Sequence, residues 1–440
     1  MDLICDAPFL GVAFRRRVLF LIFWKNSLEY ENLVRHRRVL WRFFLNNQNM
    51  RKEFPVMEEL IFFDHARVAP LPERVRKAVT AFVDDATRFG TTHYENWIIG
   101  IDQARKNFAK LINAGTDEVA FVKNTSEGLS IVANGLNWSP GDNVVIPNIE
   151  FPANVYPWWN LKRIGVETRM VAAIKGRVLF DDLVKHVDAR TRLISISSVE
   201  CNSGFRCDLK RIGTFCKEKG ILFCVDAIQS LGIIPMDVKR DYIDFLSADG
   251  HKWMLSVEGL GGFYISRDVL EEIYPITVGW GNMVNAAEFM NYEFAFRPNA
   301  QRFEEGSLNT MSIHAFGAAL GLLLETGIEN IENRVMMLGD KILKQLNQRG
   351  IKIYSSTLSG ERSGNISFVM SEDISELYGW MLKKKVKLTV RDGLVRLSPH
   401  FYNSEDEVDC FFCLLAEYVR LNDNKILVWK IIATLPGYPA

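Results

Sequence analysis

The chain has 440 residues, 48% apolar and 24% charged, which excludes a disordered, collagen-like or small disulfide-stapled polypeptide and suits two unequal domains. Its 53 basic and 53 acidic side chains cancel, so no global field draws it to nucleic acid or an anionic membrane, and a small molecule is the expected partner. Seven cysteines without regular spacing read as reduced thiols of a cytoplasmic protein.

The neutral total hides an asymmetry at the front of the chain. Residues 1–52 hold ten Lys/Arg against four Asp/Glu, leaving 43 against 49 elsewhere. Arg15, Arg16 and Arg17 precede an apolar run, Val18 to Trp24, that Lys25 closes after seven residues. A spanning helix needs about 20 apolar residues, and no small-residue cleavage site follows the run. Residues 1–56 are therefore expected to be an appended segment outside the fold, with Met50 or Met57 as the working start. A basic amphipathic helix on a membrane surface is the functional alternative.

From residue 60 strands and helices alternate. Glu118 to Val122, Asn143 to Pro147, Leu193 to Ser197, Ile221 to Val225 and Ile243 to Ser247 are short, nearly continuous apolar runs, the pattern of buried parallel strands. Helices are expected between them: one opening at Thr125, Ser126 and Glu127 with Thr125 as cap, and one from Asp208 to a stop at Gly220. This alternation gives an α/β sheet covered on both faces. Beyond residue 310 come two helices (Ser312 to Glu325, Ile331 to Arg349), short strands (Ile351 to Tyr354, Gly364 to Val369, Leu394 to Leu397) and a last helix from Ser404. The expected division is an N-terminal arm and large domain over 57–309, a small α+β domain over 310–422 and a tail over 423–440. Cys410 and Cys413 lie in an apolar helical run and read as packing residues.

The chemistry sits at strand ends. Phe223 to Val225 is a buried strand that closes on Asp226, a carboxylate that needs a partner once buried. A later strand ends in Asp249-Gly250-His251-Lys252-Trp253, where an amine hemmed in by apolar residues can be desolvated and made nucleophilic. An acid for a pyridinium nitrogen and a lysine for a Schiff base are the two groups that pyridoxal phosphate requires of a protein. Lys123 to Gly128 follows a strand and opens a helix, so backbone N–H groups and hydroxyls converge as a phosphate site would need.

The stretch from Val225 through the Gly-His-Lys segment to Ile265, together with FVKNTSEGL, EFPANVYPWWNL, RFEEGSLN and VRLSPHFYNSEDEVD, resembles the class V aminotransferases. These are fold-type I enzymes that include cysteine desulfurases, selenocysteine lyases, isopenicillin N epimerase and kynureninase. The resemblance covers roughly residues 60–420. It implies an α/β fold of type I with a large, mostly parallel sheet and a smaller C-terminal domain. It implies that Lys252 holds pyridoxal 5'-phosphate as an internal aldimine, that Asp226 pairs with the pyridine nitrogen and that Gln229 reaches the phenolic oxygen. Thr125, Ser126 and His251 would hold the phosphate, Ser307 would reach the partner subunit's phosphate in a homodimer, and Arg396 would clamp the carboxylate of a small amino acid. No nucleic-acid or membrane partner and no metal is implied.

Three positions depart from the pattern. Phe151 stands where desulfurases stack a histidine on the ring, and it can stack but not move a proton. Asp249 stands where a phosphate-binding hydroxyl is common. The segment before Arg396, LTVRDGLV, carries no cysteine to accept sulfur. The expectation is thus an aminotransferase or a C–S lyase without a persulfide loop, with epimerisation or non-catalytic cofactor binding as alternatives. Cys201, Asn202 and Ser203 follow a strand where the family presents a polar cofactor contact, with Asn202 the candidate, and His65 is a surface or packing residue. Arg391 is read as a solvated strand-end charge or a second anion contact, and Trp158-Trp159 as core or domain interface.

Overall fold

The computed structural model describes residues 50–433, apart from 289, 291, 371 and 372, and burial for residues 50–422 only. The expectations for residues 1–49 and for the end of the tail lie outside the described residues. Residues from Glu53 onward form one compact unit. Phe54 is buried and stacks on Tyr402 with ring centroids 3.8 Å apart, and Glu53 pairs with Arg74 at 3.1 Å. The compact unit therefore includes residues before Met57, a correction to the expected boundary: one aromatic in a short polar stretch gives no periodicity to read.

After a short helix, Val56–Glu59, the chain runs as strand β1 (Ile61–Phe62), then through the helices Glu73–Phe89 and Tyr94–Ile112. The large sheet follows: β2 (Val119–Val122), β3 (Asn143–Pro147), β4 (Glu167–Val171), β5 (Thr191–Ser197), β6 (Leu222–Asp226), β7 (Phe245–Asp249) and β8 (Gly261–Ile265), in spatial order β2-β8-β7-β6-β5-β3-β4. From β4 to β7 every pairing is parallel, whereas β8 runs antiparallel to both β7 and β2. The first expected strand is thus an antiparallel edge strand, since nothing in a four-residue buried run encodes its direction. The sequence reading missed β4, whose first three residues, Glu167 to Arg169, are polar, and β8, which opens with two glycines. Both faces of the sheet are covered, and β2, β3 and β5 to β8 are almost wholly buried.

The chain passes from β3 outward to β4 and returns on the other side of β3 to β5. That reversal opens a crevice at the carboxyl ends of the parallel strands, the usual ligand position in such sheets. The helix Leu209–Lys219 begins at Asp208, whose side chain accepts from Arg211 N, and stops at Gly220 with φ 66°, as expected.

The helices Thr310–Thr326 and Ile328–Gln348 lead to a second sheet of β9 (Ile366–Phe368), β11 (Thr389–Arg391) and β12 (Leu394–Leu397), after β10 (Val386–Lys387), which pairs with β1. The first of these helices packs on Glu73–Phe89 and Tyr94–Ile112. Ile351 to Tyr354 makes only an isolated bridge, Ile353 to Phe368, in place of the expected strand. The final helix, Glu405–Ala433, continues past the expected boundary at 422. No single helix among the described residues is long and apolar enough to cross a membrane, and the most apolar pair is bent by 78°.

Candidate active site

A cavity of about 540 Å³ opens at the ends of β3, β5, β6 and β7 and is closed on its far side by the β11–β12 hairpin. Its size is within the usual range for small-molecule sites. Of the residues singled out from sequence, Thr125, Ser126, Phe151, Asp226, His251, Lys252, Arg391 and Arg396 line it, as does Asp249.

Asp226 is the last residue of β6, 2% exposed, and Oδ1 accepts the Ile228 N–H at 3.0 Å. Burial raises its pKa to about 6, against the lowering effect of that hydrogen bond and of the Lys252 charge. Lys252 is 8% exposed, and burial lowers its pKa while Cys201 and Asp226 oppose the shift. Lys252 is held by a tight turn: Leu255 N donates to the Lys252 carbonyl at 3.0 Å and Ser256 N to Gly250 O at 2.9 Å. Buried Leu255 takes φ 60°, a left-handed conformation costly for a γ-branched residue and sustained by the surrounding packing.

Behind the lysine lies an aromatic wall. The Trp253 indole N–H donates to Gln229 Oε1 at 3.0 Å, His400 Nε2–H donates to the Trp253 carbonyl at 3.1 Å, and His65 stacks on the Trp253 ring at 5.9 Å. His65 is fully buried; Nδ1–H donates to Ser398 O at 2.8 Å and the Tyr402 hydroxyl donates to Nε2 at 2.6 Å. Burial holds His65 well below its usual pKa, so it is a neutral packing residue.

The phosphate-type corner forms where the helix Thr125–Gly135 meets β7. A Cβ at Gly128 would run into the Ser247 side chain, so glycine lets this helix sit close to the strand. The approach brings Thr125 Oγ1 to accept the Asp249 N–H at 3.0 Å. The helix cap is Asn124, not Thr125: Asn124 Oδ1 accepts the Glu127 N–H at 2.9 Å. Thr125 and Ser126 thereby occupy the first helical turn, where unpaired N–H groups face an anion. His251 Nδ1 lies 3.0 Å from Asp249 Oδ1, yet the pair is misaligned, and both atoms are buried without a hydrogen-bond partner among the described residues. Asp249 thus turns toward His251.

Arg396, on β12, is 4% exposed. Nη1 donates to Cys201 O at 2.8 Å and lies 3.5 Å from Cys201 Sγ, Nη2 reaches Thr389 Oγ1 at 3.5 Å, and Nε has no partner among the described residues. A buried guanidinium that lines a cavity is suited to an incoming carboxylate.

Within the Cys201-Asn202-Ser203 segment the register differs from the expected one: Cys201 lines the cavity, whereas Asn202, the expected contact, donates to Asp392 Oδ2 at 2.8 Å and does not line it. A tight turn sets this register, with Gly204 at φ 68° donating to Glu200 O. Gln229 does not line the cavity either: Nε2 donates to Ala66 O at 3.0 Å and points to Cys201 Sγ at 3.7 Å. Ser307 belongs to a separate depression with Lys123, Gly259 and Asn309. That segment is anchored by Glu304, which accepts Arg105 at 2.7 Å and Phe121 N at 2.8 Å.

Two further acids underlie the cavity. Glu150 accepts the N–H and the hydroxyl of Ser197, both at 2.6 Å, and burial beside Asp226 raises its pKa to about 8. Glu200 is fully buried, neither carboxyl oxygen has a partner among the described residues, and burial raises its pKa well above the usual range. Burial thus favours the protonated form of both carboxyls. No signal in the sequence marks either residue as buried.

Residues 61–411 match the family model for class-V aminotransferases. A probable cysteine desulfurase from Methanothermobacter thermautotrophicus is 30% identical over 387 residues, covering 83% of this chain and 96% of that protein. An uncharacterized aminotransferase, YcbU, from Bacillus subtilis is 29% identical, covering 82% of this chain and 95% of that protein. Among solved structures, the apo cysteine desulfurase of Thermococcus onnurineus has the same fold, with a TM-score of 0.78 at 24% identity over 85% of this chain and 98% of that one. The cystine C–S lyase C-DES matches at a TM-score of 0.77 and 23% identity, over 82% and 99%. The chain belongs to the class-V aminotransferase family and has the α/β architecture of fold type I.

Proposed function

We propose that this class-V aminotransferase-family enzyme uses pyridoxal 5'-phosphate at the 540 Å³ cavity to act at the α-carbon of a small amino acid, as an aminotransferase or as a C–S lyase. The observation that carries the reading is the convergence of Asp226, Lys252, a helix N-terminus and Arg396 on one cavity, from four separate elements. Orphaned buried atoms at His251 and Arg396 and an unpaired helix start match an anionic, two-ended ligand and substrate pair. When bound, pyridoxal phosphate supplies an electron sink for negative charge developing at the α-carbon.

The chain's own residues supply the rest. Asp226, largely ionised above pH 6, holds a proton on the pyridine nitrogen. The Thr125 and Ser126 end of the helix and His251 bind the phosphate. Phe151, which lines the cavity, would offer the cofactor ring an aromatic face. Lys252, with its ammonium form disfavoured by burial, holds the cofactor and moves the proton at the α-carbon, because Phe151 cannot. Arg396 fixes the substrate carboxylate. Cys201 lines the cavity where Gln229 does not, with Gln229 Nε2 3.7 Å from its sulfur. Relatives named as desulfurases and aminotransferases support transfer or lyase chemistry over epimerisation.

The working unit is a homodimer in which Ser307 reaches the partner's phosphate. Its supports are the distance of Ser307 from its own subunit's cavity lining and a run of exposed apolar side chains, Tyr274, Ile276, Val278, Tyr292 and Phe294. A cytoplasmic location is supported by six free thiols among the described residues. The test is to mix purified holoprotein with a panel of amino acids, follow the cofactor spectrum and identify products. A spectrum that no amino acid alters would defeat the reading.

A further inference from the structure

Between β11 and β12 the chain turns through Asp392 at φ 52° and Gly393 at φ 77°. Two left-handed residues make the tight two-residue turn that matches strand twist. The register places Thr389 opposite Arg396, Val390 opposite Val395 and Arg391 opposite Leu394. Opposed residues share a face and alternate along a strand, so Thr389, Arg391 and Arg396 stand on one face, while Val390 and Val395 pack into the core of the small domain. The diagonal between Arg391 and Arg396 spans roughly 7–8 Å. The first guanidinium stands at the cavity mouth, 45% exposed, and the second is buried.

Arg391 is not consumed by the protein. Its guanidinium lies 5.4 Å from the Phe151 ring centroid, and Lys252 Nζ lies 5.5 Å from the same centroid. Its one ionic neighbour among the described residues is Asp392, 3.4 Å from Nε, and that carboxylate already accepts Asn202. No protein acceptor hydrogen-bonds the Arg391 guanidinium among the described residues. A cation held over an aromatic ring at a cavity mouth, one strand diagonal from a second cation, is a two-point receptor for a dianion.

We propose that Arg391 receives a second carboxylate, so that the substrate is an α-amino acid with a short acidic side chain, or the matching 2-oxo acid. This rests on the reading that Arg396 holds the α-carboxylate. A stem of one or two methylenes between the α-carbon and the second carboxylate fits the strand diagonal.

The test measures dissociation constants of L-aspartate, L-glutamate and L-alanine from the cofactor absorbance of holoenzyme at low salt. It is run on the wild type, Arg391→Gln, Arg391→Lys and Arg396→Gln. The wild type is expected to prefer an acidic amino acid over alanine by about tenfold. Arg391→Gln should cut that ratio to about threefold or less, with Arg391→Lys recovering part of it, because a point charge restores attraction without the fork. Arg396→Gln should weaken all three. An acidic-to-alanine ratio near one in the wild type, or a ratio unchanged by Arg391→Gln, overturns the proposal. A wild type whose spectrum responds to no amino acid overturns the cofactor reading beneath it instead.

Discussion

Arg396 and Cys201 meet in the cavity wall, with Nη1 of the arginine 2.8 Å from the cysteine carbonyl and 3.5 Å from its thiol. The contact joins β12 of the small sheet to the turn after β5 of the large one. It aims a buried guanidinium while leaving Nε unpaired. Arg396→Ala should therefore cost roughly 1.5–3 kcal/mol in amino-acid binding. Lysine at this position should recover only part, lacking a planar fork. Saturation curves check this, and unchanged half-saturation in the alanine variant would mean that another group holds the carboxylate.

Glu150 carries a pH-dependent stability term. Its pKa is raised from 4.5 to about 8 by burial, so the native state keeps a proton that the unfolded chain releases. Its contribution is fully present below pH 4.5 and is lost as pH rises to about 8. Glutamine can accept from Ser197 N and donate to Ser197 Oγ, so Glu150→Gln removes the titration with its hydrogen bonds kept. Urea denaturation of cofactor-free protein should show the variant gaining at least about 2 kcal/mol over wild type between pH 5 and pH 8. Parallel pH profiles would contradict it.

The two-residue turn at Asp392-Gly393 leaves no room for a mobile cysteine loop before Arg396. Cys201 is the cavity's own thiol, 8% exposed and flanked by Arg396 and Gln229. With L-cysteine as substrate, any sulfur should leave into solution rather than accumulate on the protein. Mass spectrometry during turnover checks this. A one-sulfur adduct on Cys201 formed at the catalytic rate would give that buried thiol the acceptor role.

A homodimer with composite sites predicts that sedimentation equilibrium finds two chains per particle and that Ser307→Ala loosens the cofactor. Ser307 lies in a depression apart from its own subunit's cavity. An active monomer at working concentration would exclude the arrangement.

Much of the site was legible because strand ends announce themselves. Asp226 and Asp249 each close an apolar run, and they end β6 and β7. Asp208 and Gly220 bound their helix as read, since capping is local chemistry. Direction and side-chain facing are different in kind. The antiparallel β2, the choice of Cys201 over Asn202 and the burial of Glu200 depend on long-range pairing or one-residue register. So does His65, whose partners Ser398 and Tyr402 lie more than 300 positions away. No local pattern encodes such contacts. The cap at Asn124 was legible in principle, since Asn124 and Glu127 have the N-cap and third-position spacing.

The most direct test of the central claim is borohydride reduction of the holoprotein followed by peptide mass mapping. A single pyridoxyl-phosphate label on Lys252, absent from Lys252→Ala, is the predicted result, because Lys252 is the lysine lining the cavity with Asp226. A label on another lysine, or one that persists in Lys252→Ala, would contradict the account.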